Sequence, residues 1–384
     1  MTVIASGSST LTPEGYRRTP TRPIAELRRE AGHWCAGERR LADPPSPEDL
    51  AWLRELTGLR VRWPYNEGRQ EAMALLTALA GAGVPLTAEA VPPWAERADP
   101  ALAELLRSWP EGGPDAAPDP SAPVTAGEAR RSVTDLRREE HSVRLRRHAW
   151  RSHTADAPVT VVLASRRPHH VPGALAQIAR QRHVEVQVVL ALHGFTADLV
   201  RPAVRDFPHP ITVLEADAAT VFGEVLARAA ARADAALIAK WDDDDWYGPE
   251  HLADLLMARR YSGADVVGTA AEFFYLEPLD VTIRRTDYKS EVWSDHVAGG
   301  TILIGRDTLA AAGGFQPLPK GVDSALLKTV HAAGGRIYRT HGLGYMLRRS
   351  SAAEHTWRLP LAHFLRVATN QWRGFRPSLL MEAE

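Results

Sequence analysis

The sequence predicts an α/β protein: a mostly parallel sheet flanked by helices over the C-terminal half of the chain, preceded by a mainly helical N-terminal region. Three observations predict it. From residue 158 onward, short β-branched apolar runs alternate with helix-patterned segments. The runs are continuously apolar rather than alternating, as strands covered on both faces must be. Before residue 110 the apolar residues instead recur at helical spacing between capping signals.

Residues 1–24 are rich in Ser, Thr, Pro and Gly and read as a loose tail. In residues 25–109, "SPEDLAWLRELTGL" places Ser46 to cap a helix, Pro47 at its first position and Asp49 where a capping box needs an acid. Leu50, Leu53 and Leu56 share one face, and Gly58 ends the segment. "NEGRQEAMALLTALAGAG" is a second helix. Residues 110–127, dominated by Pro, Gly, Ala and Asp, read as a linker and first domain boundary. Residues 128–152 form an arginine-rich amphipathic helix, read as a solvated helix packed on its neighbour or as a basic surface for an anionic acceptor or membrane.

The next region, 153–357, carries the α/β grammar. "VTVVLAS", "VEVQVVLAL", "ITVLEA" and "AALIAKW" are strands, with "VPGALAQIARQ" and "ATVFGEVLARAAARA" as helices among them. "YGPEHLADLLMARRYSG" is a helix with Pro249 at its start, Leu252, Leu255 and Leu256 on its apolar face and Gly263 after its end. Residues 358–384, with "LPLAHFLRVATNQWRGF", are expected as a C-terminal helix and tail.

Composition bounds the function. The 384 residues are 45% hydrophobic and 24% charged with a net charge of -1, so nothing global points to nucleic acid or an anionic membrane. The single cysteine, Cys35, excludes an internal disulfide and any cysteine-based zinc cluster, fits a reducing compartment and reads as a small core residue. No apolar leader and no bilayer-length apolar stretch occur, which leads to the expectation of a cytoplasmic protein, peripheral to a membrane at most, with no integral membrane segment. A glycine-rich phosphate loop is also missing after the first strand, which counts against P-loop and dinucleotide readings.

The informative stretch is "AKWDDDDWYGPEHL". Four adjacent carboxylates repel one another by roughly 1 to 4 kcal/mol per pair at surface-like dielectrics, so a cation or full solvation must relieve them. They lie between a buried strand and a helix, at a strand's carboxyl end, where sheets of this kind bind ligands. In extended chain Asp242 and Asp244 face one way, Asp243 and Asp245 the other. Two carboxylates with open positions suit a hard divalent cation, Mn²⁺ or Mg²⁺, that keeps sites for phosphate oxygens.

With that motif in place, residues 158–357 resemble a family 2 glycosyltransferase of GT-A fold, whose metal-binding pattern Asp-x-Asp matches "WDDDDWYGPEHL". The resemblance implies an inverting transfer from a nucleoside-diphosphate sugar, most readily a UDP-sugar, to an acceptor hydroxyl on a glycan, polymer or small metabolite. It places Asp242 by the donor ribose or sugar and Asp244 on the metal, with Asp242 and Asp245 sharing it and His341 as a late third ligand. Ser165, Arg166 and Arg167 fall beside the nucleotide, and Asp243 and Gly300 in the donor pocket, with Gly299 and Gly300 allowing close backbone approach. Lys240 would offset the acids, meet phosphate or form a structural ion pair. Asp323 is the candidate general base, with helix capping as its other reading, and Asp295 and His296 are secondary candidates. Arg348 and Arg349 are placed near diphosphate or an anionic acceptor. The alternatives are a sugar-nucleotide nucleotidyltransferase and a noncatalytic nucleotide-sugar or glycan-binding module.

Overall fold

In a computed structural model of the chain, the described residues are 12–64, 68–109, 133–151, 157–350 and 359–382. The linker expected at 110–127, and residues 1–11 of the loose tail expected at 1–24, lie outside them. The chain divides into two compact units, Met1–His153 and Thr154–Glu384, each with its own core.

The N-terminal unit runs β1 (Ala25–Glu30), β2 (His33–Ala36), β3 (Arg39–Arg40), α1 (Pro47–Arg54), β4 (Leu59–Val61), α2 (Arg69–Gly81), β5 (Leu86–Thr87), α3 (Pro93–Ala98), α4 (Pro100–Arg107) and α5 (Val133–Trp150). The region expected to be mainly helical therefore carries a five-stranded sheet, ordered β3-β2-β1-β4-β5. The cause is that "AELRRE" is built from good helix formers and its partner strands are two to four residues long, so local propensity points the wrong way while tertiary pairing decides. The one local signal is Ala31-Gly32, both at positive φ, which closes the two-residue β1–β2 hairpin. Helix α1 starts as its sequence dictates: Ser46 Oγ accepts from the Asp49 amide and Asp49 Oδ2 from the Ser46 amide. It ends at Arg54, before Gly58, because the chain turns into β4. Cys35, on β2, is only partly buried and takes no place in the core.

Helix α5 corrects a second expectation. Two of its arginines turn inward instead of outward: Arg138 and Arg146 are buried within the unit, with Glu139, Glu140 and His141 beside them on the same helix, while Arg137, Arg144 and Arg147 stay partly exposed. Arg138 donates to the carbonyls of Arg17, Leu56 and Thr57, at 2.6–2.9 Å, and to the Tyr16 hydroxyl. Its guanidinium ties the strand and helix ends together.

The second unit runs β6 (Val159–Ser165), α6 (Val171–Ala179), β7 (Val186–His193), α7 (Arg201–Arg205), β8 (Ile211–Ala216), α8 (Phe222–Ala230), β9 (Leu237–Trp241), β10 (Trp246–Tyr247), α9 (His251–Ser262) and β11 (Val266–Thr269). It continues with β12 (Phe273–Leu276), β13 (Val281–Arg284), β14 (Val292–Trp293), β15 (Leu303–Gly305), α10 (Arg306–Ala311), α11 (Val322–Ala332), β16 (Ile337–Thr340), β17 (Tyr345–Arg349), α12 (Leu361–Val367) and β18 (Asn370–Arg373). This is the expected α/β architecture: an eight-stranded sheet ordered β14-β16-β11-β15-β9-β6-β7-β8, in which β9, β6, β7 and β8 are parallel. Helices α8, α10 and α11 cover one face through Val225, Leu309 and Leu326, packed on Val162, Val189 and Ile238. The chain winds from β6 through β7 to β8, then returns to place β9 on the other side of β6. That reversal opens a crevice at the carboxyl ends of β6 and β9.

A second sheet, β10-β17-β12-β13-β18, stands beside it. Its last strand shortens the C-terminal helix expected across "LPLAHFLRVATNQWRGF". Helix α12 ends at Val367, and Asn370–Arg373 pairs antiparallel with β13, with Trp372 opposite Thr282. Pairing at a sheet edge, where a strand is available, outweighs the helical pattern that precedes it.

Candidate active site

A cavity of about 880 Å³ opens at the crevice between β6 and β9. The loop after β6 brings Arg166 and Arg167, the loop before α8 brings Thr220, and the first turn of α11 brings Asp323. The turn between β9 and β10 brings all four consecutive aspartates. Burial alternates along them: Asp243 and Asp245 are buried, Asp242 and Asp244 only partly so.

Each acid has a defined partner, and this is how the fold holds four like charges together. Asp243 accepts from Ser165 Oγ and from Arg167, and Asp244 Oδ2 accepts from Arg167 Nη1 at 2.9 Å, so one guanidinium spans two carboxylates. Asp245 Oδ1 accepts from the Arg348 amide at 3.0 Å and Oδ2 from the Tyr345 hydroxyl. Burial raises the pKa of Asp245 well above the usual carboxylate range, and Asp244 and Asp242 push it the same way. Asp242 Oδ1 accepts from Lys240 Nζ at 2.6 Å, and Asp323 Oδ2 lies 3.3 Å from the same ammonium. Burial also raises the Asp242 pKa, with Lys240 opposing and Asp323 adding to the rise.

Two glycines bring these groups close. A Cβ at Gly299 would collide with the Asp323 carboxylate, and one at Gly300 would sit 2.7 Å from Asp242 Oδ2. Tyr247, fully buried, braces them: its hydroxyl accepts from the Asp242 amide at 2.9 Å and donates to the Gly300 carbonyl at 3.0 Å, and its ring stacks on Trp241.

The structure therefore brings Arg166, Arg167, Lys240, Asp242, Asp243, Asp244, Asp245, Gly300 and Asp323 to one cavity. Four residues take places the sequence reading did not anticipate. Ser165 is buried, with its hydroxyl donating to Asp243, so it fixes the loop instead of lining the cavity. Arg166 Nε donates to His193 Nδ1 at 3.0 Å. Asp245, expected to share the metal, has both oxygens taken by Tyr345 and Arg348. His341, expected as a third ligand, is 2% exposed, lies 3.5 Å from Asp254 Oδ2 and is not among the cavity-lining residues. Asp323 makes no side-chain cap bond; α11 is capped by Gly321 in the left-handed region, so the capping reading fails. His296 lines the cavity, whereas Asp295 does not. Arg348 also lines it and pairs with Glu277, while Arg349 is buried and donates to the Leu359 carbonyl. Missed altogether were Tyr247 and Tyr345, whose hydroxyls organise the acids; tyrosines near an acid run carry no spacing signal that marks them.

Among the described residues no group of three or more His, Cys, Asp or Glu side chains is arranged as a metal site. The donor chemistry still fits a hard divalent ion, because such ions take one or two carboxylates and complete their shell with water and substrate phosphate. Asp242 and Asp244 place two carboxylates on the cavity wall.

No protein-family profile matches the chain, and no curated protein sequence does. Among solved structures it is similar to the mannosyltransferase PcManGT from Pyrobaculum calidifontis in complex with GDP-Man and Mn²⁺, at 17% identity and a TM-score of 0.42, over 52% of this chain and 58% of that one. It is similar also to S. aureus TarS 1–349 in complex with UDP-GlcNAc, at 14% identity and a TM-score of 0.43, over 55% and 64% of the two chains. The chain thus spans less than two thirds of either protein. Among the described residues, no helix is long and apolar enough to cross a membrane.

Proposed function

We propose that the chain is a divalent-metal-dependent glycosyltransferase that moves a sugar from a nucleoside-diphosphate donor to an acceptor hydroxyl with inversion. The observation that carries the reading is the convergence of Asp242, Asp244 and Asp323 on one cavity at the switch point of a parallel sheet. Asp242 and Asp244 are the residues that would hold the metal, which when bound neutralises charge developing on the departing diphosphate. Arg167, held by Asp243 and Asp244, adds a fixed positive charge on the same wall. Asp323 takes the acceptor proton as the acceptor oxygen bonds to the anomeric carbon and the bond from that carbon to the diphosphate oxygen breaks. The Asp323 side chain lines the cavity and is partly exposed to it, which suits a proton acceptor. Arg167, Asp243 and Ser165 orient the wall, and Tyr345 holds Asp245 out of the reaction.

A thermal-shift panel of UDP, GDP, ADP and dTDP, with and without Mn²⁺, tests donor binding, since a ligand that binds the folded state raises its melting temperature. The expected result is a shift of several degrees for one base that needs Mn²⁺ and disappears in Asp244→Ala. The same shift in Asp244→Ala, or none with any nucleotide, contradicts the reading.

A further inference from the structure

Lys240 sits where a parallel sheet ordinarily carries an apolar side chain. It lies on β9, hydrogen-bonded through its amide to the Ile302 carbonyl at 2.9 Å and in register with Val162 of β6. Ile238, two residues earlier and so on the same face, packs in the cluster that includes Val322 and Leu326 of α11. The lysine stem continues that apolar face, and its ammonium emerges where the cluster gives way to the cavity.

An ammonium this deep, 3% exposed, persists only if paired. Two carboxylates supply that pairing, Asp242 Oδ1 at 2.6 Å and Asp323 Oδ2 at 3.3 Å. The two partners come from different elements: Asp242 follows β9 itself, whereas Asp323 is on the first turn of α11. Asp323 is confined from a second side by the Gly299 backbone, and its Oδ1 is left without a partner among the described residues. A lysine needed only to offset the aspartate run would have no reason to reach the carboxylate on α11 as well.

We infer that Lys240 is a positioning residue: by holding Oδ2 of Asp323 on the ammonium that also holds Asp242, it fixes the carboxylate of the base against the donor-side acid. The inference rests on the reading of Asp323 as the base. It states that Lys240 acts on turnover through Asp323 and contributes little to donor affinity.

The test is a double-mutant cycle on the full chain, following hydrolysis of UDP-glucose, UDP-N-acetylglucosamine, GDP-mannose, ADP-glucose and dTDP-glucose with Mn²⁺, water serving as acceptor. Lys240→Met is expected to lower kcat by about 100-fold, the lower end of what a general base supplies, while KM for the donor stays within about threefold. In the Asp323→Asn background the same substitution should cost less than about threefold more, because the residue it acts through is already gone. Multiplying losses in the double variant, or a rise in KM that matches the fall in kcat, would overturn the inference and leave glycosyl transfer standing. Absence of turnover by the wild type with every donor would instead remove the glycosyl-transfer reading, and this inference with it. If Lys240→Met and Lys240→Gln both lose the wild-type circular dichroism and melting transition, Lys240 is a structural ion-pair partner and the inference fails.

Discussion

At the scale of single residues, the approach of backbone to carboxylate at Gly299 sets the site. Neither chain direction nor a positive φ demands glycine there; the Asp323 carboxylate does. Gly299→Ala should therefore lower turnover by about tenfold or more, as misplacement of a reacting group does. Steady-state kinetics with a donor, beside a melting curve close to wild type, checks this, and unchanged turnover would show that Asp323 is placed by other means. Two buried histidines carry a pH dependence. Burial lowers the pKa of His251 to about 3, against the pull of Asp254, and that of His141 to about 4, against its bond to the Leu86 carbonyl. Their ordinary value is 6.5, so below that pH the unfolded chain binds protons the folded chain refuses. Stability is fully present above pH 6.5 and falls as the pH drops from there toward each folded value, by up to about 1.4 kcal/mol per pH unit for each histidine. Urea unfolding at pH 7.5 and 5.5 should show that fall; equal midpoints would contradict the buried, neutral state.

The aspartate run stood out in the sequence because adjacent like charge is costly and must be answered by a cation or solvent, whereas Lys240 was left between three roles. The partners of Ser165, Asp245 and His341 were not legible there. Asp245 is satisfied by Tyr345, 100 residues further along, and pairing over that distance leaves no trace in local spacing.

At the scale of elements, the strands of the second unit were readable because long β-branched runs such as Val159–Ser165 have no other stable use. The strands of the first unit were hidden by their brevity: β3 and β5 are two residues each. Helix α5 reads as a solvated amphipathic helix packed on its neighbour or as a basic surface, and two of its arginines, Arg138 and Arg146, are buried. Arg138, 2% exposed, satisfies backbone carbonyls at Arg17, Arg54, Leu56 and Thr57. Arg138→Met should cost about 3 to 5 kcal/mol, since those buried acceptors lose a charged donor that methionine cannot replace. Denaturant unfolding measures it, and a loss below about 1 kcal/mol would mean that water or another side chain takes the same carbonyls.

At the scale of the whole molecule, the chain is two units with separate cores, and the aspartates, Lys240 and Asp323 all belong to the second. Their meeting follows from topology. Only the reversal that sets β9 beside β6 brings the loop of Arg167 to the acids, and only the helices covering that face bring Asp323 to Lys240. The α/β class was legible from residue 158 onward because it follows from the order of apolar runs; the second sheet was not, since its order is set by long-range pairing of strands two to five residues long. The measurement that tests the central claim most directly is release of nucleoside diphosphate from sugar-nucleotide donors, with Mn²⁺ and a mixed glycan acceptor pool, by the wild type and by Asp323→Asn. Release by the wild type that falls by about 100-fold in Asp323→Asn, with the nucleotide-induced thermal shift retained, is the result this account predicts. Equal release by both proteins would take the base away from Asp323, and none by either would contradict the glycosyltransferase reading.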